Sequence, residues 1–206
     1  INRLKGRTKW YPPNPLPLIH DFLPNKQTAQ PSDVAQAMNF AFDPNRPGIY
    51  NPYPLAGAPA TDKWGGMMQY AAGLNVAATN TDAVTFWIKV NSIDPLDVNT
   101  ATLRLDLGQI SEDIIPDKKL ETEDSNQNGR YDPGEDIGLD GLTDAQEQAK
   151  FPGAADPNDP SNDDYKGYAS DAANDHLNGQ EGNASDAQSG LKPDAEDLNS
   201  NGALDV

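Results

Sequence analysis

From Gly108 onward the chain carries too few apolar side chains to build a core of its own, and that shortage limits its folds more than any other feature. Asp, Asn, Gly and Pro dominate this stretch, a composition that buries too little apolar surface to offset the entropy of ordering the chain. The charge divides near the same place. Residues 1–111 hold nine Lys/Arg against eight Asp/Glu, whereas residues 112–206 hold six against twenty-four, so the net charge of −17 lies in the second half. A nucleic-acid partner requires clustered cations and is disfavoured. The acidic half then has two states open to it: a solvated tail, or carboxylates gathered around divalent cations. To become ordered it needs the first half, metal ions or a partner.

Spacing favours the cations. Residues 124–135 read D-S-N-Q-N-G-R-Y-D-P-G-E, which puts side-chain oxygens of Asp124, Asn126, Asn128, Asp132 and Glu135 at positions one, three, five, nine and twelve. Gly129 stands at position six, where such a loop turns sharply, and Arg130 at position seven would offer its backbone carbonyl. This is the ligand spacing of an EF-hand-type loop, and Ca2+ takes six to eight hard oxygen donors. Flanking helices are not evident, and Pro133–Gly134 does not favour one, so the nearer analogues are the helix-poor loops of dockerin-like and thrombospondin-type-3 repeats. The bland alternative is an Asn/Asp/Gly-rich turn that matches by chance. Two asparagines in place of aspartates lower the ligand charge, which points to modest affinity and a structural role where calcium is plentiful.

The same spacing returns at the C-terminus: Asp197, Asn199, Asn201, Gly202 and Asp205 occupy positions one, three, five, six and nine. The sequence stops before position twelve, so a second metal site there is expected to be incomplete. Between the loops Asp136, Asp140 and Asp144 recur every four residues. They would complete the first site, form another, or stand as solvated acids. A short helix is expected over Asp144–Lys150, with Thr143 as N-cap, Gln146 as its capping-box partner and Phe151–Pro152 ending it.

The first half reads as β structure. Val84, Phe86, Ile88 and Val90 alternate with polar neighbours in Ala83–Asn91, and Leu103, Leu105 and Leu107 do so in Ala101–Leu107. Weaker strand candidates are Ala37–Phe42, Met67–Ala72 and Leu74–Ala78. Pro and Gly punctuate the intervals. The expected fold is mainly β: an antiparallel β-sandwich, jelly-roll or galactose-binding-like, over residues 1–111, with residues 112–206 as an acidic, loop-rich region packed on it or extending from it.

Catalytic readings are weak, and no catalytic residue is assigned. Cysteine is absent, which removes disulfides and thiolate sites. His20 and His176 lie far apart and join no nucleophile motif. Nothing singles out a carboxylate pair for glycoside hydrolysis. Trp87, on the polar face of its expected strand, suits packing better than sugar stacking. No apolar run approaches the roughly 20 residues that cross a bilayer as a helix. No signal peptide opens the chain, which begins at Ile1 and is read as a processed protein or a piece of something longer.

Taken in order, several short motifs resemble one family. They begin with Asn2-Arg3 and Lys9-Trp10-Tyr11, then Asp33-Val34-Ala35-Gln36 and the run from Pro44 to Pro52. Next come Trp64-Gly65-Gly66-Met67-Met68, Thr79-Asn80, Phe86-Trp87 and Leu107–Ile114. Gly134–Gly141 and Pro193–Asn199 complete the series. The chain is similar in these to the SprA family, the giant outer-membrane translocon proteins of the type IX secretion system in gliding bacteria. The Trp10-Tyr-Pro-Pro-Asn-Pro continuation departs from the usual pattern. The resemblance implies a β-sandwich module in or on a very large transmembrane barrel, exposed at the cell surface or to the periplasm. It implies as partners the parent barrel, other secretion components and exported client proteins. A rival class is a carbohydrate-binding jelly roll, with glycans as partners; a weaker one is a hydrolase fragment.

Overall fold

The computed structural model describes residues 2–11, 13, 15–35, 37–68, 70, 86–89, 102–130, 132, 134–135, 137–163 and 193–206. Strand β1 (Gly6–Tyr11) carries Thr8, Trp10 and Tyr11, residue types that suit a pleated surface. It pairs antiparallel with β2 (Asn39–Pro47) in a two-stranded ribbon, in which Thr8 faces Phe42 and Trp10 faces Phe40. The register jumps between Gly6, which pairs with Pro47, and Arg7, which pairs with Asp43. The extra residues form a bulge at Pro44, a residue with no N–H to give to a ladder. The connection between the strands contains helix α1 (Ile19–Phe22). Gly65 lies so close to the ribbon that a Cβ there would stand 2.3 Å from Thr8 Cγ2 and 2.7 Å from Phe42 Cδ2.

Of the weak strand candidate at Ala37–Phe42, Asn39–Phe42 belong to β2, which runs five residues further to Pro47. Residues 102–107 and 86–89 carry no strand pairing, and Leu103, Leu105 and Leu107 are 67%, 55% and 58% exposed. Alternation marks a face, but it becomes a strand only where a partner offers its backbone and an apolar surface. Half of Met67–Ala72, all of Leu74–Ala78 and the ends of Ala83–Asn91 lie outside the described residues. The ribbon is the one sheet found among the described residues.

Helix α2 (Asp144–Lys150) forms where its capping residues predict. Thr143 N–H and Oγ1 donate to Gln146 Oε1 at 2.9 and 3.0 Å. Asp144 in the first turn and Lys150 in the last suit the helix dipole, and Phe151 precedes a proline that disfavours continuation. The acidic half meets the segment that follows the ribbon through its backbone. Tyr50 N–H donates to Ser161 O at 2.7 Å, Ala155 N–H to Pro52 O at 3.0 Å, and Tyr53 hydroxyl to Pro152 O at 3.1 Å. The apolar core among the described residues is small: Ile49, Tyr50 and Leu139 are buried, with Ile114 and Ile115 packed against them. Leu139 is fully buried, and its N–H donates to the Tyr50 hydroxyl at 2.8 Å.

Candidate metal centre

Carboxylates occupy the interior that apolar side chains leave unfilled. Among the described residues, Glu112, Glu123, Glu135, Glu147, Asp159, Asp163, Asp194 and Glu196 are all buried, against two buried cations, Lys5 and Arg7. Burial lowers even the Lys5 ammonium to about 8. Buried anions in such excess are costly unless hydrogen bonds or cations compensate them. Much of the compensation is visible, and it divides the region into two related loops and a third cluster.

The residues of Asp124–Glu135 converge as their spacing predicts. Asp124 accepts the Asn128 N–H at 3.0 Å and the Gly129 N–H at 2.7 Å. Asn126 Oδ1 accepts the Asn128 N–H at 3.0 Å, and Asn128 Oδ1 accepts the Arg130 N–H at 2.7 Å. Both amide nitrogens donate to Asp132 Oδ2, at 2.8 and 2.7 Å, and this holds the Asp132 carboxyl below its ordinary range. Glu135 closes the ring, accepting the Asp132 N–H at 2.8 Å and the Ser125 N–H and hydroxyl at 3.2 and 2.9 Å. Gly129 has φ +71, a backbone conformation that favours glycine. All five donors are oxygen, which suits a hard cation, and each asparagine Oδ1 keeps a second lone pair.

The C-terminal loop repeats this geometry except at Asn199, whose Oδ1 accepts no hydrogen bond where Asn126 Oδ1 accepts one. Asp197 accepts the Asn201 and Gly202 N–H groups at 2.9 and 2.7 Å, and Asn201 Oδ1 accepts the Ala203 N–H at 2.8 Å. Asn199 and Asn201 amides donate to Asp205 Oδ2 at 2.6 and 3.2 Å. Gln127 and Ser200, at corresponding places, share φ values of +59 and +58.

The two loops are joined just upstream by an antiparallel bridge, Thr122 to Ala195. Glu123 N–H donates to Asp194 O at 2.9 Å and Glu196 N–H to Glu121 O at 3.0 Å. The carboxylates swap contacts in the same way: Glu123 Oε2 accepts the Asp194 N–H at 2.9 Å, and Glu196 Oε2 accepts the Glu121 N–H at 3.2 Å. Their other oxygens pin neighbouring turns, Glu123 at Gly138 N–H and Glu196 at the Ile114 and Ile115 N–H groups. The loops thus sit about a local pseudo-twofold. Glu123 and Glu196 were findable, because each immediately precedes the first aspartate of its loop.

A third cluster lies beside Tyr50. Carboxylate oxygens of Asp140, Glu147 and Asp163 come within 4.8 Å of one another, a group able to hold a metal ion. Asp140 therefore joins neither loop. Asp144 stays exposed at the start of α2, and Asp136 lies outside the described residues. Ser161 links the cluster, its N–H donating to Glu147 Oε2 at 3.0 Å and its hydroxyl to Asp140 Oδ2 at 2.9 Å. Arg7 reaches in from β1 to donate to Asn162 Oδ1. Desolvation raises Asp140 and pushes Glu147 up to about 7, and burial followed by the charge of Asp163 raises the Tyr50 phenol. The site has no slack at Gly138, where φ is +67 and a Cβ would lie 1.9 Å from Asp163 Oδ2. Glu147 and Asp163 gave no signal in the sequence, since only the fold brings α2 and residues 159–163 together.

No protein-family model, curated protein or solved structure matches the chain. Among the described residues, no helix is long and apolar enough to cross a membrane.

Proposed function

We propose that the chain is a non-catalytic module whose acidic half is ordered by calcium, carried at the cell surface or in the periplasm by a protein-export translocon of the type IX class. The observation that carries the calcium reading is the excess of buried carboxyl groups among the described residues, eight acidic side chains against two basic ones, with the oxygens of Asp140, Glu147 and Asp163 within 4.8 Å of one another. Divalent cations stabilise such an interior by neutralising it, and an ion bound only by the folded state adds about 2.7 kcal/mol at a hundredfold excess over Kd. Asp124, Asn126, Asn128, Asp132, Glu135 and the Arg130 carbonyl would hold one ion, and Asp140, Glu147 and Asp163 another. The ions' work is structural, fastening loops to the ribbon.

The translocon reading is supported by the ordered series of short motifs along the chain. An antibody raised against this chain tests it in a gliding bacterium. Detection on a polypeptide of a few thousand residues that fractionates with the outer membrane supports the reading. Detection on a freely secreted polypeptide of a few hundred residues overturns it.

A further inference from the structure

The ring of the C-terminal loop is closed from a distant part of the chain. In the first loop Glu135 accepts the N–H of Asp132, the position-nine residue, through Oε2 at 2.8 Å. In the second loop the N–H of Asp205, again position nine, donates to Glu112 Oε2 at 3.3 Å, across 93 residues of sequence. The backbone repeats the exchange: Glu135 N–H donates to Asp132 O at 3.1 Å, and Glu112 N–H to Asp205 O at 2.8 Å. Glu112 is 5% exposed.

A separate observation points to a ligand in this ring. Asn199 Oδ1 is a buried acceptor with no hydrogen-bond partner. Its amide nitrogen is 2.6 Å from Asp205 Oδ2, so the oxygen on the same amide is held within the loop. A buried acceptor without a donor is costly, and a cation among neighbouring carboxylates satisfies it directly.

We infer that the C-terminal loop is a second calcium site, in which Glu112 takes the part that Glu135 takes in the first loop. Asp197, Asn199, Asn201, Asp205 and Glu112 provide side-chain oxygens, and the Ala203 carbonyl stands where Arg130 stands in the first loop. The ion would clasp the start of the acidic half to its end, so that the site exists only when both segments have come together. The inference rests on the calcium reading above and adds a ligand and a long-range closure to it.

Calcium binding to the metal-stripped chain tests it, with stoichiometry from calorimetry and amide NMR shifts of Gly129 and Gly202. Each glycine N–H donates to the first aspartate of its own loop at 2.7 Å and so reports that loop alone. In the wild type both signals are expected to move on adding calcium chloride. Glu112→Gln, which keeps an acceptor for the Asp205 N–H, is expected to bind one ion fewer and to lose the Gly202 response while keeping that of Gly129. Asp197→Asn, on a half-buried residue, should remove the same ion, and the double variant no more than either single. Glu135→Gln should do the converse. Retention of the Gly202 response and full stoichiometry in Glu112→Gln would overturn the assignment, as would loss of two ions in the double variant. If Gly129 responds in the wild type and Gly202 does not, the second site fails and the first stands. If neither responds and no heat is seen, the whole calcium reading fails.

Discussion

Replacing Glu147 by Gln should stabilise the calcium-free protein at neutral pH and cost it calcium stabilisation, a reversal that few structural roles would produce. Glu147 is 1% exposed, and desolvation holds its carboxyl at about 7 against an ordinary 4.5. A carboxyl more easily protonated folded than unfolded favours the fold below pH 4.5, and that advantage declines as pH rises through 7. The gap corresponds to about 3 kcal/mol once the group is ionised. Glutamine keeps an oxygen for the Ser161 N–H but never ionises, so it escapes this penalty. In chelator the variant should match the wild type near pH 4 and exceed it by up to about 3 kcal/mol near pH 8. Saturating calcium should reverse the order, because the wild type gains a charged ligand beside Asp140 and Asp163 and the variant does not. Urea unfolding at four pH values, with chelator and with calcium, reads both effects. A wild type and variant whose difference is the same at every pH, and the same with and without calcium, would refute the reasoning.

Other substitutions probe the supports of the site. Gly138→Ala places a Cβ 1.9 Å from Asp163 Oδ2 at φ +67 and should destabilise by about 2–4 kcal/mol in urea unfolding. Tyr50→Phe removes the oxygen that accepts the Leu139 N–H and should cost about 1–3 kcal/mol, measured in the same way. Glu135→Gln should weaken calcium binding at the first loop by roughly tenfold or more in calorimetry, since that carboxylate closes its ring.

What could be read from the sequence was local. The Asp124–Glu135 and Asp197–Asp205 loops are set by spacings of two residues and a glycine at the turn, and α2 by Thr143, Gln146 and the Phe151–Pro152 stop. Each depends on neighbours in the chain. Glu112, Glu147 and Asp163 gain their roles from contacts made across long separations, and a lone acid in an acidic region carries no mark of that. Strand β1 carries little sequence signal because Gly6 and Thr8, on the face opposite Arg7 and Lys9, give it almost no apolar stripe, and its pairing with β2 depends on a bulge at Pro44. Leu103, Leu105 and Leu107 have the alternation but no strand pairing among the described residues. The carboxylate interior was legible only as a charge imbalance, and its geometry came from the fold.

The central claim is that calcium orders the acidic half. Limited proteolysis of the metal-stripped chain, followed alongside thermal melting as calcium is titrated in, tests it most directly. The account predicts a higher Tm and slower cleavage within residues 112–206 as calcium rises, both reversed by chelator. A melting curve and a cleavage pattern that calcium leaves unchanged would contradict it.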